Sequence, residues 1–163
     1  MEYDVCDFMR QCVTAYKEVA GDPNMKLRPV ATPFLPAPEG GGDANLGPEN
    51  PSEDHKGQLA PKASSILMKI LYGARAARWD LLKIVQTLAT RVTKWTVECD
   101  RALHRLICYI NCTSGYTLRD YVGGNSAAWR LWLFADADFA GERPGYESTS
   151  ERSWLLQGPT PIS

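Results

Sequence analysis

Apolar residues recur at helical spacing in four segments of the chain, and each segment predicts an amphipathic helix. The first covers residues 3–20 and ends near Gly21. Two more follow within residues 63–92, where Asp80 is the expected N-cap of the second because its carboxylate can accept unpaired backbone N–H groups. The last begins after Thr96, a similar cap. The last three helices have short connections and therefore predict a compact helical cluster.

The hydrophobic pattern changes its period after these helices. Residues 116–122 and 129–135 are rich in aromatic and β-branched side chains and flank Gly123-Gly124-Asn125, which predicts a β-hairpin. A weaker third strand is expected over residues 153–157, after a loop at residues 141–145. The predicted fold class is therefore α+β, with a helical cluster followed by an antiparallel hairpin.

Proline and glycine interrupt the pattern before the helical cluster. Residues 29–61 contain seven prolines and a run of three glycines, with too little apolar surface to compensate for the entropy lost on ordering. We interpret residues 35–61 as a disordered linker. The expected organisation is an N-terminal segment (1–34), this linker (35–61), a helical region (62–115) and a β region (116–163).

Charge is unevenly divided along the chain, although its formal net value is only -1. Residues 62–119 hold ten Lys and Arg against three Asp and Glu, whereas residues 1–61 hold five against ten. Basic helices interleaved with Tyr72, Trp79 and Trp95 suggest a nucleic-acid surface, where cations contact phosphates and rings stack on bases. The alternative is that these cations only form the solvated faces of amphipathic helices. The candidate phosphate contacts are Lys69, Arg75, Arg78, Arg91, Lys94, Arg101 and Arg105, with Lys62 and Lys83 beside them.

The five cysteines form an odd set without zinc-finger spacing, which favours free thiols in a reducing intracellular compartment, the cytoplasm or the nucleus. His104, Cys108 and Cys112 share one helix face. Structural zinc normally takes ligands from more than one element, so we expect buried or partly buried thiols here and an ordinary helix residue in His104. No run approaches the roughly 18–20 apolar residues that a membrane span requires, and no membrane partner is expected.

Asp136 and Asp138 end a strongly apolar predicted strand. Side chains alternate across a strand, so both carboxylates should project to the same face, where a hard divalent cation would relieve their repulsion. The alternative is that Asp138 only begins a turn and both acids are solvated. The pair is therefore a candidate metal site.

Several segments resemble, in order, a copia-type retrotransposon Pol polyprotein, from the end of its reverse transcriptase into the start of its ribonuclease H domain. The resemblance covers about residues 27–157. It is carried by VATPF at 30–34, LMKILYGAR at 67–75, RWDLL at 78–82, LICYINCT at 106–113, FADADFAG at 134–141 and STS at 148–150.

The resemblance implies an opening strand and hairpin of a ribonuclease H-like sheet. It makes Asp136 the first nuclease carboxylate, which would help bind Mg²⁺ or Mn²⁺ and cleave the RNA strand of an RNA–DNA hybrid. Asp138 matches a recurrent position of the family. Glu147, Glu151 and Arg152 depart from its pattern, and the other nuclease carboxylates and the polymerase active site are not in this sequence.

We therefore expect a polyprotein fragment that is inactive alone. Because such a sheet is incomplete, its exposed edges are expected to favour self-association. The alternative is a non-enzymatic module that binds nucleic acid or protein through the basic helices.

Overall fold

The computed structural model describes residues 2–35, 46–47, 52, 55–142 and 147–158, with side chains described outside residues 136–142 and 147–154. The fold is mixed α+β, as the sequence predicts. The chain divides into two compact units, one covering Glu2–Arg119 and one beginning at Asp120. We call them the helical unit and the hairpin unit.

The helical unit contains four α-helices in its described residues, close to the four predicted segments. A short antiparallel pair, β1 (Glu2–Tyr3) with β2 (Leu118–Arg119), joins its two ends. Short 3-10 turns precede α3 and α4 at Trp79–Leu81 and Val92–Lys94. The helices are α1 (Cys6–Val19), α2 (Ala60–Ala77), α3 (Leu82–Ala89) and α4 (Val97–Cys112).

One hydrophobic core holds these helices together, and α1 packs against both α2 and α4. Each helix contributes the apolar stripe that its sequence predicts. Fully burying one such side chain contributes about 1.5–3 kcal/mol, so this cluster is the main stabilising element of the unit. Its largest fully buried apolar members are Met9, Leu67, Ile70, Leu81, Ile84, Val85, Leu88, Leu103, Leu106, Ile107 and Ile110.

The junction between α2 and α3 differs from the prediction. Asp80 is not a helix N-cap: α3 begins after Leu81, without a side-chain cap, and Asp80 lies inside the preceding 3-10 turn. Its carboxylate instead accepts two hydrogen bonds from the Arg78 guanidinium, at 2.9 and 2.7 Å. A charged partner two residues away therefore replaces the predicted capping interaction.

The start of α4 follows the prediction. The Thr96 hydroxyl accepts a hydrogen bond from the Cys99 backbone N–H, and the helix ends at Cys112. Asp100, in the first turn of α4, connects this helix to α2. Its carboxylate accepts hydrogen bonds from the backbone N–H groups of Gln58 and Leu59, immediately before α2. One acidic side chain of α4 thus satisfies donors at the beginning of another helix.

Part of the predicted linker contacts this core. Leu46 is buried, and its carbonyl accepts a hydrogen bond from the Thr96 hydroxyl at 2.6 Å. Lys56 forms an isolated β-bridge with Thr96. The rest of the predicted linker, residues 36–45, 48–51 and 53–54, lies outside the described residues.

The hairpin unit contains β3 (Arg130–Glu142) and β4 (Glu147–Gln157), which pair antiparallel. The predicted hairpin around Gly123-Gly124-Asn125 is wrong, because Leu118–Arg119 pairs with Glu2–Tyr3 instead. Asn125 caps a 3-10 turn at Ser126–Ala128. The predicted third strand at residues 153–157 lies within β4 and pairs directly with β3.

Candidate nucleic-acid interface

The acidic side chains of the basic region are largely committed to internal contacts. Asp80 binds Arg78, and Asp100 accepts a 2.7 Å hydrogen bond from the Trp95 indole as well as the two backbone donors before α2. Glu98 is only partly exposed and has one buried oxygen without a partner among the described residues. The outer surface of α2–α4 is therefore dominated by cations.

Six of the seven predicted phosphate contacts reach solvent. Arg75, Lys94 and Arg101 are exposed, whereas Lys69, Arg91 and Arg105 are half-buried. Arg105 also donates from Nε to the Thr32 carbonyl at 3.2 Å, which fixes its stem while leaving its other guanidinium N–H groups for further partners. These six side chains lie on α2, α4 and the turns around α3.

Arg78 is the exception, and its prediction as a phosphate contact is wrong. The side chain is only 2% exposed. Besides Asp80, it donates to the carbonyl and the hydroxyl of Thr113 at 2.9 and 2.8 Å, and it lies over the rings of Tyr109 and Tyr116. A guanidinium enclosed in this way is a structural cation that joins α2 to the end of α4.

A line of exposed side chains runs along α2 and into the turn that follows it. Met68, Tyr72 and Arg75 are spaced by four and three residues, so they share one face of the helix. The Trp79 indole donates to the Arg75 carbonyl at 3.4 Å, which places its ring over the last turn. We call these four residues the α2 stripe.

The two aromatic rings of the α2 stripe are unusually open to solvent. Tyr72 is 72% exposed and Trp79 is 59% exposed, and Met68 is 47% exposed at the other end. The Tyr72 ring also leans on Phe8 of α1, with centroids 5.4 Å apart. A supported tyrosine, a guanidinium and an indole therefore follow one another along a single surface.

Two differences from the sequence-based prediction concern this surface. Trp95 was predicted beside the other rings, but it is 2% exposed and its indole is hydrogen-bonded to Asp100, so it is unavailable for stacking. Met68 was not predicted to belong to the surface. The signal in the sequence was its position four residues before Tyr72. This spacing places an apolar residue on the polar face of α2 and so predicts that Met68 is exposed.

His104 and Cys108 of α4 form an internal chain of contacts with Tyr16 of α1, whereas the Cys112 thiol is exposed and donates to the Val30 carbonyl. The Tyr16 hydroxyl lies 3.0 Å from His104 Nδ1, and Cys108 Sγ lies 3.5 Å from His104 Nε2. Burial raises the pKa of the Cys108 thiol, and burial raises that of Cys12 to about 11. Both thiols are therefore protonated at neutral pH and are poor nucleophiles.

Asp136 and Asp138, the predicted metal ligands, lie in β3. Backbone pairing places them opposite Glu151 and Thr149 of β4. The side chains of both residues lie outside the described residues, so the predicted Mg²⁺ or Mn²⁺ site and the catalytic role of Asp136 stay predictions. Where side chains are described, no group of three or more His, Cys, Asp or Glu residues is arranged to hold a metal ion.

Within the described ranges, no helix combines the length and the apolar character needed to cross a bilayer. Comparison of the chain with models of protein families, with curated protein sequences and with solved structures gave no match.

Proposed function

We propose that the helical unit binds single-stranded nucleic acid through the α2 stripe, with other exposed cations of the same unit adding positive charge. The observation that carries the proposal is the order of side chains along α2 and the turn that follows it: an exposed tyrosine, an exposed arginine and an exposed tryptophan on one line. Aromatic rings stack on unpaired bases, and a guanidinium between them can contact the connecting phosphate. If this face of the unit contacted only water, the two rings and the guanidinium would make neither of these contacts.

The charge of the surface supports the same function. Asp80 and Asp100 are occupied internally, so few acids remain to repel phosphates, while Arg75, Lys94 and Arg101 project into solvent. Each phosphate contact releases a condensed counterion, which favours binding at low salt. Electrostatics would supply affinity, and the aromatic rings would supply the preference for unpaired bases.

A single strand fits this arrangement better than a duplex. Stacking on Tyr72 and Trp79 requires bases with free faces, which a base-paired helix does not offer. We therefore expect a single-stranded oligonucleotide to bind more tightly than the same sequence in a duplex. Equal affinity would indicate binding by charge alone.

Fluorescence titration with a labelled oligonucleotide tests the proposal. Stacking of one base contributes about 1–3 kcal/mol, so Trp79→Ala should weaken binding roughly 5- to 140-fold, given that about 1.4 kcal/mol is tenfold. Tyr72→Ala should have a similar effect. The matched control is Tyr121→Ala, which removes a ring that is 88% exposed but lies in the hairpin unit.

Salt dependence tests the role of Arg75 separately. For single strands the slope of log K against log salt is about -0.7 for each phosphate contact, so Arg75→Gln should make the slope shallower by about that amount. Arg130→Gln, an exposed arginine of the hairpin unit, is the control. Binding that is insensitive to salt, or equally weakened by both variants, would refute the proposal. Capture of a protein ligand by the same surface, without oligonucleotide binding, would refute it too.

A second candidate function rests on the resemblance to copia-type Pol polyproteins. We propose that the hairpin unit derives from the beginning of a ribonuclease H-like sheet, and the antiparallel pairing of β3 with β4 supports this origin. A two-metal nuclease site needs more carboxylates than Asp136 and Asp138. The chain alone should therefore leave an RNA–DNA hybrid intact in the presence of Mg²⁺. Cleavage that disappears in Asp136→Asn would show that it is an active nuclease instead.

A further inference from the structure

A cavity of about 320 Å³ lies between α1 and the end of α4, away from the residues of the α2 stripe. Its volume is at the lower end of the range typical of small-molecule sites, about 300–1,000 Å³. One line of α1 residues and the polar end of α4 form its walls. The lining residues that matter are Arg10, Val13, Lys17, Glu18, Asn111 and Ser114.

The charges in this cavity are of both signs and do not neutralise one another. Lys17 and Glu18 are consecutive in α1, and neither forms an ion pair with any residue in the part of the chain that the structure describes. Consecutive side chains on a helix do not pair directly with each other, but both of these line the cavity. Arg10 is already paired with Asp7. Among the residues that the structure describes, the Lys17 ammonium and the Glu18 carboxylate in this cavity therefore both lack a counterion.

The remaining wall is neutral. Asn111 supplies both a donor and an acceptor, and Ser114 supplies a hydroxyl, while Val13 is buried and apolar. A simple anion would be attracted by Lys17 but repelled by Glu18. A simple cation would be attracted by Glu18 but repelled by Lys17. A molecule that carries both charges satisfies both residues.

We propose that this cavity binds a small zwitterion of the free α-amino acid class. The ligand carboxylate contacts Lys17, and the ligand ammonium contacts Glu18. An uncharged ligand side chain lies against Val13, where Asn111 and Ser114 accept or donate hydrogen bonds. Because charge-assisted hydrogen bonds are the stronger ones, both charged groups are needed for measurable affinity.

NMR titration of the isotope-labelled full chain with free glutamine tests this site. Saturable shifts are expected at the amides of α1 around Lys17 and at Asn111 and Ser114. N-acetylglutamine, which lacks the ammonium, and glutamine amide, which lacks the carboxylate, should each bind at least about tenfold more weakly, as expected for loss of one charged contact. Shifts of equal size and midpoint with N-acetylglutamine would overturn the zwitterion assignment.

Variants keep the test specific to the cavity. Lys17→Gln should abolish the preference for glutamine over glutamine amide, which lacks the carboxylate. Glu18→Gln should abolish the preference for glutamine over N-acetylglutamine, which lacks the ammonium. Lys26→Gln replaces an exposed lysine that does not line the cavity and should leave the titration unchanged. All three positions are partly or fully exposed, so the fold should tolerate these changes. Unchanged glutamine binding in both cavity variants, or no saturable shift in the natural chain, would overturn the proposal.

Discussion

Replacing Arg78 with methionine should destabilise the helical unit more than any exposed charge change. The guanidinium of Arg78 is 2% exposed and donates to Asp80 and Thr113 through four hydrogen bonds of 2.7–2.9 Å. It also lies 5.8 and 5.4 Å from the ring centroids of Tyr109 and Tyr116. Methionine keeps an apolar stem of similar length but removes all of these polar contacts.

The magnitude follows from what remains after the change. Breaking a buried ion pair by removing one partner costs about 3–5 kcal/mol, because the other charge is left uncompensated. The Asp80 side chain is 36% exposed, so water can replace part of the lost interaction. The Thr113 carbonyl also loses a charged donor. We therefore expect Arg78→Met to lower the free energy of unfolding by about 3 kcal/mol, at the lower end of that range.

Urea unfolding followed by circular dichroism at the helical band measures this loss. Arg75→Met is the matched control, because Arg75 is an exposed arginine of α2, and a surface change of this kind is usually worth less than about 0.5 kcal/mol. The double variant Arg78→Met with Asp80→Asn should lose less than the two single losses combined, since no uncompensated acid remains. A loss below about 1 kcal/mol for Arg78→Met would refute the structural role of this arginine.

Three other changes test the core and its pH dependence. Gly73→Val should lower stability by about 1–3 kcal/mol in the same unfolding assay, because a Cβ at Gly73 would overlap the Met9 side chain; unchanged stability would contradict this packing. Asp100→Ala should cost about 3 kcal/mol, since the carboxylate accepts hydrogen bonds from the Trp95 indole and from two backbone N–H groups before α2, and a fall in the melting temperature would report it. Burial, reinforced by the negative charge of Asp100, raises the pKa of Tyr16 from 10.0 to about 12. The unfolded chain therefore loses this proton first, so the stabilisation by Tyr16 is complete below pH 10 and disappears as the pH rises towards 12; Tyr16→Phe should flatten that alkaline decline, and an unchanged decline would contradict the burial.

Local sequence signals were sufficient to predict where the helices lie. The stripe of α4 and its Thr96 cap depend on residues within a few positions of one another, and both appear in the structure. The prediction at Asp80 failed because its preferred partner, Arg78, is itself held by Thr113, 35 residues away. A capping rule that considers only neighbouring residues cannot detect such a competitor.

The strands were harder to predict because their partners are distant. Leu118 pairs with Tyr3, a contact that no local turn signal reports. The Gly123-Gly124 pair looked like a hairpin turn, yet the long strand β3 turns back only after Glu142. For the candidate interface, the sequence indicated the basic helices but not which rings are exposed. Burial of Trp95 depends on Asp100 and on the core, and is therefore a tertiary property.

The indole N–H signals in an NMR spectrum test the central claim most directly. Titration with a single-stranded oligothymidine should shift or broaden the signal of Trp79, which is 59% exposed on the α2 stripe. The signal of Trp95, buried and bonded to Asp100, should stay in place, as should that of Trp129, whose indole donates to the Gly123 carbonyl in the hairpin unit. A perturbed Trp129 with an unperturbed Trp79 would contradict binding at the α2 stripe and assign the nucleic-acid surface to the hairpin unit.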